Sequence, residues 1–257
     1  MPITKRALLI SNPGETGAEN YCKGVYVDIK NYQRLLFSAQ GGAWETNEVT
    51  TLDRPSVADV RNCIEMMSAA EYVFVMFTGH GWFSASDHDR VLELRSGQSI
   101  ASNELLRGTK RRTVVLDCCQ KVHQESLMEK AARQIALAAN ATEARRTPNR
   151  EACRKLYLDS IQAAPQGAVW LTSCAIDEVS TDDDTRGGRY NGSLIECVDD
   201  WAALQAKKQF HASPEMYSIV AAHECAAERT RKLSGGKQNP SIEKPKTGPY
   251  FPLGVFA

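Results

Sequence analysis

The sequence predicts an α/β domain with a mostly parallel central sheet of about six strands and helices on both faces. Two observations carry that expectation. Short β-branched and aliphatic runs alternate with helix-period segments along the whole chain, the pattern of strands joined by crossover helices. Two of these runs, Tyr72 to Phe77 (YVFVMF) and Thr113 to Leu116 (TVVL), read as buried strands that stop abruptly at reactive side chains, the first at Thr78-Gly79-His80-Gly81 and the second at Asp117-Cys118-Cys119. The carboxyl ends of strands are where open parallel sheets build their sites.

In chain order, Arg6 to Ser11 is the first strand and Asn12 to Asn20 a turn-rich loop. Gly24 to Ser38 is a helix with a partial stripe of Val27, Tyr32, Leu35 and Leu36, and Gly41-Gly42 ends it. Asn47 to Leu52 is the second strand. Ser56 caps a helix whose apolar positions include Val57, Val60, Ile64 and Met67. The strand leading to His80 follows, then an exposed hairpin or loop from Ser84 to Gly97, then a short helix from Ser102 or Asn103. After the strand leading to Cys119, Glu125 to Ala144 is Ala-rich and helical. That helix breaks at Pro148, and a second helix runs to about Ala164. Ala168 to Thr172 is the fifth strand. Asp182 to Asp184 with Gly187-Gly188 marks a long mobile loop, Leu194 to Lys207 and Pro214 to Leu233 are helices, and Tyr250 to Phe256 offers a final strand. No internal repeat or strong boundary divides the 257 residues, which form one domain.

Composition narrows the function classes. Lys+Arg and Asp+Glu balance at 31 each, so no general attraction to nucleic acid or anionic membrane follows. The opening MPITKRALLISN lacks the apolar core of a signal peptide, and no apolar run approaches the roughly 20 residues of a membrane span. Eight scattered cysteines read as reduced thiols. The expectation is a soluble cytoplasmic protein, a monomer rather than a dimer, with no nucleic-acid or membrane partner. Without Cys-x-x-Cys pairs, a zinc site is not expected. Asp87, Asp89 and Asp182 to Asp184 offer the oxygen ligands that calcium takes, but acid runs in loops are ordinarily just solvated. No metal or cofactor is therefore expected, with calcium the one candidate.

A thiol and an imidazole at the ends of two neighbouring strands form the minimal constellation of a cysteine hydrolase. An imidazole raises the thiolate fraction of a cysteine otherwise mostly protonated at neutral pH, and it gives a proton to the leaving amine. Side chains alternate along a strand, so only one of Cys118 and Cys119 faces the site. Glycines around His80 let a substrate backbone approach closely. His88, His123, His211 and His223 lack such a context and read as surface or helix residues.

The Thr-Gly-His-Gly and Asp-Cys-Cys segments resemble those of the caspase-like cysteine peptidases of clan CD, family C14, in particular the metacaspase and bacterial caspase-like branch. The pattern departs from that branch at Gln120-Lys121. Gly24 to Asn31, Ser173-Cys174 through Ser180, and Gln238-Asn239-Pro240 resemble further family segments, so the likeness extends over nearly the whole chain. The resemblance implies the caspase–hemoglobinase fold, with a large-subunit-like part at about 1–142, a linker at about 143–154 and a small-subunit-like part at about 155–257. It implies Cys119 as nucleophile, His80 as proton shuttle, and the backbone N–H groups of Gly81 and Cys119 as oxyanion hole. It implies that Asp117 and Asp28 line the S1 pocket, with Thr78 and Asp177 as further lining residues, and two carboxylates there favour a basic P1 side chain. In caspases the linker after the nucleophile strand is where the zymogen is cut, and here Arg145, Arg146 and Arg150 offer basic P1 sites around Pro148. Cleavage by the enzyme itself or by an upstream protease is the implied activation step, and bacterial immunity or cell death, including antiviral defence, the implied setting. Protein substrates are the implied partners.

Two other readings compete. Gly14-Glu15-Thr16-Gly17 after the first strand loosely matches a flavodoxin-type phosphate loop for a flavin or phosphate ligand. A catalytically silent caspase-like scaffold would carry the same motifs.

Overall fold

The computed structural model describes residues 3–118, 146–208 and 213–257. In chain order the elements are β1 (Lys5–Asn12), α1 (Gly24–Phe37), β2 (Val49–Asp53), α2 (Val57–Met67), β3 (Tyr72–Gly79), β4 (Gly81–Ser84), β5 (Asp89–Arg95), β6 (Gln98–Ala101), β7 (Arg111–Cys118), α3 (Arg150–Ala163), β8 (Gly167–Thr172), β9 (Asp182–Asp183), β10 (Gly187–Gly188), α4 (Arg189–Ala206), β11 (Glu215–Ser218), α5 (Ile219–Leu233), β12 (Ser241–Glu243) and β13 (Pro252–Phe256). Short 3-10 turns at Thr46–Glu48 and Ser102–Leu106 lead into β2 and follow β6. The expected helix from Glu125 to Ala144, with His123 and His211, lies outside the described residues.

The central sheet has six strands in the order β12-β8-β7-β3-β1-β2, parallel except for β12, which runs antiparallel to β8. Strands β7 and β8, which flank the linker in sequence, pair directly from Arg111 opposite Gly167 to Leu116 opposite Thr172. Alternation along the strands splits the core into two layers. Leu9, Phe74, Met76 and Val115 face α1, α3, α4 and α5, whereas Leu8, Val75, Phe77, Val114 and Leu116 face α2 and the small antiparallel sheet β4-β5-β6. This two-sided burial is why β3 and β7 are apolar throughout.

Several elements differ from the sequence expectation. The final strand β13 pairs with β11, not with the central sheet. The sixth sheet strand is instead β12, three residues long and too short to leave a period-2 signature. Helix α4 begins at Arg189, well before Leu194, and its Tyr190-Asn191-Gly192-Ser193 turn is buried. Helix α5 begins at Ile219, where the Ser218 hydroxyl accepts a hydrogen bond from Ala221 N at 3.1 Å; the preceding residues are strand β11. Asp182 to Gly188 is a hairpin of two-residue strands with both glycines buried, where a mobile loop is expected.

The expectation of reduced thiols fails at one pair. Cys197 on α4 and Cys225 on α5 form a disulfide with their Cα atoms 6.2 Å apart, within the reach of such a bond. Their separation of 28 residues conceals that packing α4 on α5 brings the two positions face to face. Among the described residues, no helix is long and apolar enough to cross a membrane.

Candidate active site

The site forms where β3 and β7 end. These strands are paired in register, with Thr78 opposite Asp117 and Gly79 opposite Cys118. The next residue of β3 is His80; the next of β7 is Cys119, which lies outside the described residues. Cys118 is 3 % exposed and packs in the core layer shared with α2, on the opposite face from Asp117. The glycines flanking His80 serve strand packing. A Cβ on Gly79 would fall 2.3 Å from Asn12 O, and one on Gly81 would fall 2.8 Å from Val91 O and 3.0 Å from Cys118 Sγ. That is a tighter constraint than the substrate approach expected from sequence. The imidazole Nε2 of His80 is buried without a hydrogen-bond partner among the described residues and packs against Gly14. The Gly14–Gly17 loop thus borders His80, with Gly14 N donating to Asn12 Oδ1 at 3.1 Å.

Thr78 and Asp117 lie on the layer that faces α1 and α4, and α1 brings Asp28 to them. Asp28 and Asp117 are only 1 % and 5 % exposed. Thr78 Oγ1 donates to Asp28 Oδ2 at 2.7 Å, and Gly188 N donates to Asp28 Oδ1 at 2.9 Å. Asn191 binds both acids: its Nδ2 donates to Asp28 Oδ2 at 3.0 Å and its backbone N to Asp117 Oδ2 at 3.2 Å. Its Oδ1 accepts from the Tyr32 hydroxyl at 3.0 Å, which fixes the amide orientation. The Ser180 hydroxyl donates to Asp117 Oδ1 and accepts from Gln238 Nε2 at 3.2 Å. Gln238 also donates to Ser173 O at 2.9 Å, tying the loop after β8 to the segment before β12.

Two carboxyl groups cannot both ionise cheaply in so dry a cluster. Burial, then the charge of Asp117, pushes Asp28 up to about 8, against the pull of the hydrogen bonds from Asn191, Thr78 and Gly188. Burial raises Asp117 as well, opposed chiefly by Ser180. The pair therefore titrates as a unit and keeps a proton near neutral pH. On β9, the exposed Asp182 carboxylate accepts from Gly24 N at 3.2 Å.

A pH dependence of stability follows. A carboxyl raised in the folded state contributes stability below its unfolded pKa, about 4, and loses it as the pH rises through the folded value, about 8 for Asp28. Two buried groups act in the opposite sense: His223, lowered to about 4 by burial, and Lys5, lowered to about 7 by burial despite Glu48. The diagnostic quantity is thus a difference. The melting temperature of Asp28→Asn should rise relative to wild type as the pH goes from 5 to 8, measured by thermal unfolding. A gap that stays constant across that range would mean that Asp28 is ionised throughout.

Of the residues expected from sequence, Asp28, Thr78 and Asp117 are brought into one cluster at the sheet edge beside His80. Asp177 is not. It is exposed in a turn at φ 69°, and Ser180 supplies the contact to Asp117 from that loop. Asn191, Ser180, Tyr32 and Gly188 were missed by the sequence reading. The Asn191-Gly192 dipeptide reads as a turn, which hid a helix start; Ser180 closed a family-like segment without a role attached. Asp87 and Asp89 bond within the β4-β5-β6 region, Asp89 accepting from Ser102 Oγ at 2.7 Å and from Asn103 N at 3.1 Å. Among the described residues, no group of three or more His, Cys, Asp or Glu side chains is arranged to hold a metal ion.

The family model for the caspase domain, of the C14 peptidases, matches residues 4–251. Caspase-1 from Spodoptera frugiperda has a similar structure, at 13 % sequence identity and a TM-score of 0.56, over 95 % of this chain and 87 % of that one. A search of curated proteins finds no match to the chain.

Proposed function

The chain belongs to the caspase-domain family of cysteine peptidases, which act on protein substrates, and on that premise we propose that it is an endopeptidase cleaving after arginine or lysine, switched on by proteolysis in the 143–154 linker. One observation carries the specificity: two buried carboxyl groups, Asp28 and Asp117, share a single hydrogen-bonded cluster at the end of the strands that lead to His80 and Cys119. A guanidinium or ammonium group entering that cluster would replace a proton and neutral donors with a full positive charge, whereas an acidic P1 side chain would add a third negative group to a dry site.

In this reading the Cys119 thiolate attacks the scissile carbonyl carbon, and the carbonyl oxygen takes up negative charge held by the N–H groups of Gly81 and Cys119. His80 gives its proton to the leaving amine as the carbon–nitrogen bond breaks, leaving a thioester on Cys119. Water, deprotonated by His80, then attacks the thioester, releasing the new carboxyl terminus and returning the proton to the Cys119–His80 pair.

The linker carries the proposed processing sites. Arg145 lies outside the described residues. Arg146 lies outside any helix or strand, with its N–H donating to Ala206 O at 2.9 Å and its guanidinium 5.3 Å from the Phe256 ring. Arg150 opens α3, and its guanidinium donates to Phe37 O at 2.7 Å and to Trp44 O at 3.3 Å. A protease needs irregular, accessible backbone, and Arg150 already sits in the first turn of α3, so we assign the cut ahead of Arg150. Fragments of about 16 and 12 kDa by proportion of chain length should appear and stay associated through the β7–β8 pairing. Incubating wild type and Cys119→Ala separately and together, with new N-termini mapped by mass spectrometry, tests this. An active enzyme that remains one intact chain, and that is indifferent to Arg145→Ala/Arg146→Ala/Arg150→Ala, would rule out processing.

A further inference from the structure

Every oxygen of the Asp28–Asp117 pair already has a donor from this chain. Of the five donors, only Thr78 belongs to the strand edge. The other four, Ser180 Oγ, Gly188 N, Asn191 N and Asn191 Nδ2, come from one stretch, residues 180–191, which also contains the β9–β10 hairpin. The hairpin fits because two of its residues have no side chain. A Cβ on Gly187 would fall 2.1 Å from Asp28 Oδ1, and one on Gly188 would fall 2.2 Å from Asp117 Oδ2 and 3.1 Å from Asp28 Oδ2. Asp182, paired with Gly188 across the hairpin, is anchored on the first turn of α1 by Gly24 N at 3.2 Å, with an exposed Lys23–Asp184 pair at 3.9 Å alongside.

From this geometry we infer that residues 180–188 are an autoinhibitory plug: the glycine strand of the hairpin, Gly187–Gly188, occupies the acidic pocket in place of a basic P1 side chain and must withdraw before substrate enters. The inference rests on the proposed basic specificity and adds its regulation. The Gly187–Gly188 backbone packs so closely on both carboxylates that not even a Cβ fits between them, which leaves no room there for a P1 cation, so pocket occupancy by substrate and by the chain itself are mutually exclusive. Gly188 has φ −57°, an ordinary value for any residue. Its replacement by alanine therefore leaves the backbone conformation accessible and removes only the fit against the carboxylates. Gly187, at φ 84°, combines the close approach with a left-handed backbone that alanine resists, so it is the less clean position to change.

The plug predicts that two local defects increase ligand access, the opposite of what damage to a binding site does. The test is a titration of the full-length, uncleaved chain with benzamidine, a compact amidinium, in a Cys119→Ala background that prevents self-processing. Gly188→Ala should bind benzamidine at least tenfold more tightly than the parent, and Asp182→Ala, which removes the anchor on α1 and makes no hydrogen bond to the acid pair, should move in the same direction even though it takes away a negative charge that acts on Asp117. Adding Asp28→Asn and Asp117→Asn to Gly188→Ala should abolish that gain. Equal, measurable affinity in the parent and both variants would overturn the plug while leaving the acidic pocket standing. No binding by any form, including Gly188→Ala, would overturn the basic specificity itself, and the plug with it. Should the variants fail to fold, amide hydrogen exchange of the parent decides: saturating benzamidine should release protection at Gly188 and Asn191, and unchanged protection there with bound ligand would contradict the plug.

Discussion

Replacing Cys119 with alanine is expected to lower peptidase activity on an arginine-containing fluorogenic peptide by about a thousandfold or more, and His80→Ala by a comparable factor. Members of a nucleophile–base unit act together, so removing one costs nearly as much as removing both. Cys118→Ala should retain much of the activity. The basis for the contrast is orientation. Cys118 packs at 3 % exposure in the layer with α2, against Gly81, and the acid pair lies across the sheet from it. Its substitution should register as a modest loss of stability from a small core cavity. Full activity in Cys119→Ala would remove the nucleophile assignment, and loss in Cys118→Ala alone would transfer it to the neighbouring thiol.

The second large effect concerns the acid pair. Asp117→Asn should lower kcat/KM for arginine substrates at least tenfold, about 1.4 kcal/mol of transition-state binding. Asp28→Asn should do the same, and the double variant should lose nearly all preference for a basic P1 residue. The two effects should not be additive, because Asn191 bonds to both carboxylates and the pair shares its proton. Asparagine keeps the shape and most of the hydrogen bonding, so a drop confined to basic substrates reports charge and not collapse of the pocket. Efficient cleavage after aspartate by the wild type would contradict an acidic S1 pocket outright.

Much of this architecture was legible because burial on two faces writes itself into sequence. Residues 72–77 and 113–116 could only be core strands, and their ends located Thr78, His80 and Asp117 on adjacent positions of one sheet edge. The Ser56 cap was equally clear, since its hydroxyl and the Asp59 carboxylate satisfy each other's backbone N–H groups at 3.1 and 2.8 Å. What escaped was set by tertiary contact. The first turn of α4 contains Asn191 and Gly192, poor helix formers, and is held by the N–H contact to Asp117. The Asp182–Gly188 hairpin has loop composition yet is pinned by the Asp28 carboxylate and the start of α1. In the loop after β8, Asp177 is exposed while Ser180, three residues on, makes the contact to Asp117, a register that local pattern does not encode. The Cys197–Cys225 bond depends on the facing of two helices, which no spacing rule anticipates.

The central claim, that Cys119 attacks substrates presented by a basic P1 residue in an acidic pocket, is tested most directly by covalent labelling. The processed protein is treated with a peptidyl chloromethyl ketone ending in arginine, and in parallel with the same reagent ending in aspartate, and the adducts are mapped by mass spectrometry. The account predicts a single adduct, on Cys119, with the arginine reagent and none at matched concentration with the aspartate reagent. An adduct on Cys118, or faster labelling by the aspartate reagent, would contradict it.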